Sequence, residues 1–255
     1  MKAIFVSVRT GSTRLPKKAL IDIQGKKTIE HLIDRVKHSR YAEKIILCTT
    51  TLSEDDILCT VAKNNGIDYF RGSSPDKLKR WAGAAQKYNV DFFVNVDGDD
   101  IFFDSGLADL CFEQYDSSSN KLEFIDGRGL YNDVYGIKVS ALNKVCDFKR
   151  DTDTEFIRPY FVEAEKFNTQ KIQNVPEKYE KKNIRMTLDY QDDLKFFKTV
   201  IQHCLDNDIN MSFDNILLFL EKNPAVVDIN WHCEQSWKDN QNKMIDRVME
   251  KNFNE

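Results

Sequence analysis

Along the first hundred residues, short apolar runs alternate with stretches whose apolar positions recur every three or four residues. Ala3 to Val8 is apolar almost throughout and rich in β-branched and aromatic residues, which predicts a strand buried on both faces. Ile29, Leu32, Ile33 and Val36 then fall at helical spacing, and Lys44 to Thr49 predicts a second buried strand. Ser53 to Asp56 offers an N-cap with an acidic first turn. The helix it starts runs through Ile57, Leu58, Val61 and Ala62 until Asn64, Asn65 and Gly66 end it. Asp68 to Arg71 predicts a short strand, Leu78, Trp81, Ala82, Ala85 and Tyr88 a helix, and Asp91 to Val96 a further strand. Strands and helices in this order build a mostly parallel sheet covered on both faces, with the loops after Val8, Thr50, Arg71 and Val96 converging at one rim.

The second half is less regular. Leu122 to Ile125 and Asp133 to Val139 predict strands around the Gly127-Arg-Gly129 turn. Thr154 to Phe167 predicts a helix with Phe156, Ile157, Tyr160, Phe161 and Ala164 on one face, starting or bending at Pro159. A strand around Thr169 to Val175, a lysine-rich loop from Glu177 to Lys182 and a strand from Ile184 to Leu188 follow. Leu194, Phe197, Val200, Ile201, Cys204 and Leu205 mark an amphipathic helix, and residues 234–255 space Trp237, Met244, Ile245, Val248 and Met249 as a helix docked on its own domain. No repeat or linker divides the chain, so residues 1–255 are expected to form one domain.

At 255 residues, 41% apolar and 31% charged, the chain is long enough to bury one large α/β core. A net charge of −4 argues against a nucleic-acid groove, so local cation clusters read as sites and not as a general field. No apolar run approaches the ~18 residues of a membrane span, and the opening run is too short for a secretory signal; a soluble cytoplasmic protein is expected. Six cysteines without a C-x-x-C pair then read as reduced core thiols, and four histidines without H-E-x-x-H spacing suggest neither zinc nor acid–base work.

Two stretches carry candidate chemistry. Arg9 to Arg14 places two guanidiniums, three hydroxyls and Gly11 in six residues directly after the first strand, with Lys17 and Lys18 close behind. Backbone N–H groups near a glycine, hydroxyl donors and forked cations are what a polyphosphate needs, although neither G-x-x-x-x-G-K-[ST] nor G-x-G-x-x-G is present. An exposed basic turn is the plainer reading of the same residues. The second stretch, Asp97-Gly-Asp-Asp100, sets three carboxylates around a glycine at a strand end, where Mg²⁺ would relieve their mutual repulsion; a solvated Asp-Gly turn is the alternative. Asp189 stands at another predicted strand end, while Asp192 and Asp193 read as first-turn charges favoured by the helix dipole.

Gly11-Ser-Thr-Arg-Leu-Pro16 with Lys18 resembles the signature loop of cytidylyltransferases of the spore-coat polysaccharide type and of the related CMP-ketodeoxyoctonate synthetases, roughly A-R-x-G-S-T-R-L-P-G-K, which wraps the triphosphate of CTP. Val8 stands where the family has Ala and Lys17 where it has Gly. The resemblance continues through Thr49-Thr-Thr51 with Glu54-Asp-Asp56, Arg71-Gly-Ser73 with Asp76, the Asp97-Gly-Asp99 segment, Asp153-Thr-Glu155 with Pro159-Tyr160, an R-x-T-x-D-x-x-x-D-L segment from Arg185, and Phe219 to Pro224. It spans nearly the whole chain in the expected order. Tyr135, Phe156 and Arg158 depart from the usual Glu, His and Thr, all on the acceptor side.

The resemblance implies a Rossmann-like, GT-A-like nucleotidyltransferase fold, a three-layer sandwich, often a homodimer. It further implies a nucleotide half over 1–115, an acceptor half over 116–233 and a terminal helix over 234–255. Arg9, Arg14 and Lys18 would grip the triphosphate of CTP and offset charge on departing pyrophosphate, and Asp99 and Asp189 would hold Mg²⁺. Val8, Arg9, Gly11, Ser12, Thr50, Ser73, Asp76, Asn95 and Asp97 would bind the nucleotide, and Tyr135, Glu155 and Arg185 the acceptor, a small phosphorylated or acidic molecule. Only Asp97, Asp100 or Glu155 could serve as a base, which tilts the reading toward a phosphate acceptor that needs none. CMP transfer to the hydroxyl of a 2-keto sugar acid, a GT-A glycosyltransferase using Asp97-Gly-Asp99 as its D-x-D, and a non-catalytic nucleotide-binding module are the rival readings.

Overall fold

The computed structural model describes residues 1–180 and 183–253. Strand β1 (Lys2–Ser7) leads through the basic loop to a small hairpin, β2 (Asp22–Ile23) and β3 (Lys26–Lys27), and then to helix α1 (Thr28–Val36). The alternation continues through β4 (Lys44–Thr50), α2 (Asp56–Asn64), β5 (Asp68–Gly72), α3 (Lys77–Tyr88), β6 (Phe92–Asp97) and α4 (Ser105–Ser117). After β7 (Phe124–Gly127) and β8 (Val134–Lys138) come α5 (Val139–Phe148), the short α6 (Arg158–Val162) and β9 (Thr169–Lys171). Four helices close the chain: α7 (Gln191–Asp206), α8 (Phe213–Lys222), α9 (Pro224–Trp231) and α10 (Cys233–Asn252).

Seven strands form one sheet in the order β5-β4-β1-β6-β8-β7-β9. Every neighbouring pair is parallel except the two that β8 makes, with β6 and with β7. Strand β1 lies between β4 and β6, with Val6 level with Leu47 on one side and Val96 on the other. Alternate side chains of each strand feed opposite layers. Ile4, Val6, Val94 and Val96 pack with the apolar stripes of α1, α2, α4 and α7, while Ala3, Phe5, Ile46 and Phe93 pack with α3, α5 and α6. On the second face Phe5 stacks on Phe93 at 4.2 Å, and Trp81 meets Phe93 edge-on. Among the described residues no helix is long and apolar enough to cross a membrane.

The expected mixed, mostly parallel sheet with helical layers on both faces is present, and the differences lie in the second half. Of the helix expected from Thr154 to Phe167 only α6 forms: Pro159 has no N–H to donate to an earlier turn and so starts the helix, and Glu165, at φ 50°, stops its continuation. The strand expected from Thr169 to Val175 pairs only over β9. Ile184 to Leu188 is not a strand: the Leu188 N–H ties it to the rim by donating to the Asp99 carbonyl at 3.0 Å. Helices α4, α5, α8 and α9 are additional to those the sequence predicts, although α4 buries Leu107, Ala108, Cys111, Phe112 and Tyr115 at helical spacing behind an Asp104 cap. Lys181 and Lys182 of the lysine-rich loop, and Asn254 and Glu255 of the expected terminal helix, lie outside the described residues. The six cysteines are free thiols, all buried except the half-buried Cys146.

Candidate active site

The loop after β1 is held from below. Asp55, fully buried ahead of α2, accepts from the Thr10 N–H and Thr10 Oγ1 at 2.7 Å each, and Thr50 Oγ1 donates to its other oxygen. Burial works against this carboxylate, but the bonds from Thr50 and Thr10 outweigh it and hold its pKa below the usual range. A folded pKa below the unfolded one means the stabilisation is complete above the ordinary value of about 4 and is lost as pH falls through the lower folded value. Asp55→Asn is therefore expected to cost about 1–3 kcal/mol at pH 7. The gap to the wild type should narrow once pH falls below the ordinary carboxylate value of about 4, as read by denaturant unfolding at neutral and acidic pH.

Lys17 adopts φ 53° and ψ 31°, the left-handed conformation that a glycine takes without strain. Its side chain is exposed and is not part of the cleft lining, so the residue the family replaces with Gly serves the turn that brings Lys18 inward and not a close backbone approach to phosphate. Gly98 has a different reason: a Cβ there would stand 2.7 Å from the Val8 Cβ, so only glycine lets the loop after β6 close on the loop after β1.

These loops border a cleft of about 1240 Å³. At its floor the Lys18 ammonium lies 2.6 Å from Asp99 Oδ2 and 2.9 Å from Asp189 Oδ1, and Arg14 Nη2 donates to the same Asp189 oxygen at 2.6 Å. Burial disfavours the Lys18 charge, yet the pull of Asp99 and then Asp189 raises its pKa overall. Asp189 is likewise burdened by burial but held low by Lys18 and Arg14. At Asp99 burial wins and its pKa is raised despite Lys18; Asp100 is pushed up much further by burial and by the charges of Asp99 and Asp97. Two carboxylates from loops 90 residues apart thus meet on one cation, a set of hard oxygens that fits Mg²⁺ with room for phosphate oxygens and water.

Val8, Arg9, Gly11, Ser12, Arg14, Lys18, Asp97, Asp99, Asp189, Tyr135, Glu155 and Arg185 all border this one cleft. Thr50, Ser73, Asp76 and Asn95 do not. Thr50 is committed to Asp55; the Ser73 hydroxyl accepts from the Asp76 N–H in the turn before α3; Asp76 caps α3, accepts from Thr154 and pairs with Lys149. Asn95 is buried in the sheet, where its Oδ1 accepts from Ser7, whose hydroxyl in turn accepts from Trp81 Nε1 at 2.7 Å. Each is a supporting residue spent on local hydrogen bonds.

Arg185 reaches the wall but is 1% exposed, with Nε and Nη2 donating to Asp193 at 2.8 and 3.1 Å and Nη1 to Glu234 at 3.3 Å. Asp193 is also more than a first-turn charge: it is fully buried and accepts from the Asp189 and Tyr190 N–H groups and from Asn230. The Arg185–Asp193 pair therefore aims Asp189 and leaves no guanidinium edge for an acceptor. Arg185→Ala leaves the fully buried Asp193 with neutral donors alone and takes the guanidinium from Glu234, so a loss of about 3–5 kcal/mol in unfolding free energy is expected. A stable Arg185→Ala protein with only a raised acceptor KM would return this residue to the acceptor site.

Lys77 and Arg80 on the first turns of α3 border the cleft without a signal read from the sequence, and Trp237 on α10, expected only in the docking stripe of the terminal helix, borders it too. Lys77 Nζ pairs with Asp97 at 2.6 Å and lies 5.1 Å from the Trp81 ring centroid. The signal was the capping Asp76 followed by two cations a turn apart. Arg9 reaches across to Glu155 at 3.2 Å, joining the loop after β1 to the second half.

A mostly parallel sheet whose strand-end loops gather cations and paired aspartates defines an α/β nucleotidyltransferase fold. A sequence profile described as cytidylyltransferase matches residues 3–226. The chain belongs to the cytidylyltransferase family and is a CTP-dependent enzyme of that class. It is 30% identical to an uncharacterized protein of Methanocaldococcus jannaschii over 92% of this chain and 97% of that one. It is 24% identical to the spore coat polysaccharide biosynthesis protein SpsF of Bacillus subtilis, over 86% and 93%. A solved cytidylyltransferase from Leptospira borgpetersenii serovar Hardjo-bovis superposes with a TM-score of 0.77 at 25% identity, covering 89% of this chain and 96% of that one.

Proposed function

We propose that this enzyme transfers CMP from CTP to a small phosphorylated acceptor in surface polysaccharide biosynthesis, with release of pyrophosphate. The observation that carries the reading is the shared cage in which Lys18 bridges Asp99 and Asp189 beside Arg14. An acceptor phosphate oxygen attacks the α-phosphorus of CTP, the bond from that phosphorus to the bridging oxygen breaks, and pyrophosphate leaves with the electron pair. Arg9, Arg14 and Lys18 bind the triphosphate and offset the charge that gathers on the leaving group. Asp99 and Asp189 would hold Mg²⁺, which neutralises phosphate charge when bound.

The candidate bases support an acceptor that is already ionised. Asp97 is tied to Lys77, Glu155 is paired with Arg9, and Asp100 is buried and accepts from Asn132. A hydroxyl acceptor needs a base; a phosphate does not. Arg128 faces the cleft on the acceptor side and carries no ion pair among the described residues, while Arg158 beside it is held by Asp126. SpsF, named for polysaccharide biosynthesis, supports the pathway class. The test is pyrophosphate release with each of the four nucleoside triphosphates and Mg²⁺ against a panel of sugar and polyol phosphates and 2-keto sugar acids. Turnover with CTP and a phosphate is expected; turnover confined to 2-keto acids, or none with CTP, would overturn the reading.

A further inference from the structure

Away from the cleft, the start of α7 meets the junction of α9 and α10, and this brings together three side chains whose spacing in sequence suggested no site. Asp192, His232 and Cys233 present ligand atoms that all lie within 4.8 Å of one another. His232 Nε2 is 3.2 Å from Asp192 Oδ2 and 3.5 Å from Cys233 Sγ. With zinc bonds of about 2.3 Å to sulfur and about 2.0–2.1 Å to nitrogen or oxygen, a tetrahedral ion separates S from N by about 3.5 Å and N from O by about 3.4 Å. The imidazole nitrogen already stands at those separations from the other two donors, and the carboxylate and the sulfur lie within 4.8 Å of each other. A single proton on Nε2 can serve the carboxylate or the sulfur but not both, whereas a metal ion at the common point serves all three.

We propose that Asp192, His232 and Cys233 form a zinc site with a fourth position open to water. Thiolate and imidazole select zinc over the harder Mg²⁺ assigned to Asp99 and Asp189. Binding replaces the thiol proton, which goes to solvent, and uses the Nε2 lone pair, leaving the imidazole proton on Nδ1. None of the three residues borders the cleft. Their chain neighbours Asp193 and Glu234 both bind Arg185, so the ion would clamp the start of α7 to the start of α10 beside the pair that aims Asp189. The site does not depend on the identity of the nucleotide or the acceptor.

The full-length protein, stripped with a chelator and held in excess Mg²⁺, is titrated with Co²⁺ and then with Zn²⁺. One equivalent of Co²⁺ is expected to give a thiolate-to-cobalt charge-transfer band that zinc abolishes. Cys233→Ser should lose the band with its circular dichroism unchanged. His232→Ala and Asp192→Asn should keep the thiol but weaken binding by on the order of 10–100-fold, at least the effect of losing an outer-shell partner. Absence of the band in the wild type, or its persistence in Cys233→Ser, would assign any binding to another thiol or to none and overturn the proposal.

Discussion

Lys18→Ala is expected to lower kcat/KM for CTP by about 10²–10³-fold, the usual result of removing one preorganised donor to transition-state charge. The variant also loses the ammonium that holds two carboxylates together at the cleft floor. Arg14 still pairs with Asp189, but Asp99 is left without its ion pair. Leaving a partly buried carboxylate uncompensated costs up to about 3 kcal/mol, less than a fully enclosed pair because Asp99 retains some contact with water. The distinctive readout is metal dependence: Mg²⁺ should raise the melting temperature of Lys18→Ala more than that of the wild type, because the ion takes over the position of the lost ammonium. A variant with near wild-type turnover, or one whose melting ignores Mg²⁺, would place triphosphate and metal elsewhere.

Asp99→Asn separates activity from stability. Turnover is expected to fall by at least 10²–10³-fold, on the order of losing several kcal/mol of metal-borne charge stabilisation. Stability should move less. The amide removes a carboxylate whose ionisation burial disfavours, but it also takes from the buried Lys18 ammonium the first of the two charges that hold it, so the two effects oppose each other. Unfolding free energy at pH 7 is therefore expected to change little compared with turnover. Pyrophosphate release and denaturant unfolding on one preparation check both halves; a destabilised variant that still turns over would mean that Asp99 serves the fold and not the metal.

The alternating half of the molecule was legible because each element there declares itself locally: a buried strand is an apolar run, and α1 and α3 carry clean stripes. The cage was legible for a different reason. Arg14, Lys18 and Asp99 follow β1 and β6, and a parallel sheet sends such loops to one rim whatever the intervening sequence; Asp189 follows no strand, and only the family resemblance paired it with Asp99. What could not be read was how polar side chains divide between ligand and support. Asp76 and Asn95 are chemically apt for a nucleotide, but the residues that claim them, Lys149, Thr154 and Ser7, come from distant segments. Arg185 misled for the same reason, since nothing local shows that Glu234 and Asp193 enclose it. Asp55 was hidden among three consecutive acids, Glu54 to Asp56, of which only the middle one turns inward under Thr10.

The backbone bond from Leu188 to the Asp99 carbonyl ties together the two stretches that carry Asp99 and Asp189. Because that tie runs through main chain, the gap between the carboxylates does not depend on which side chains line the opposite wall. Substitutions at Tyr135, Phe156 and Trp237 would therefore reshape the wall of the cleft without altering the spacing of the two aspartates.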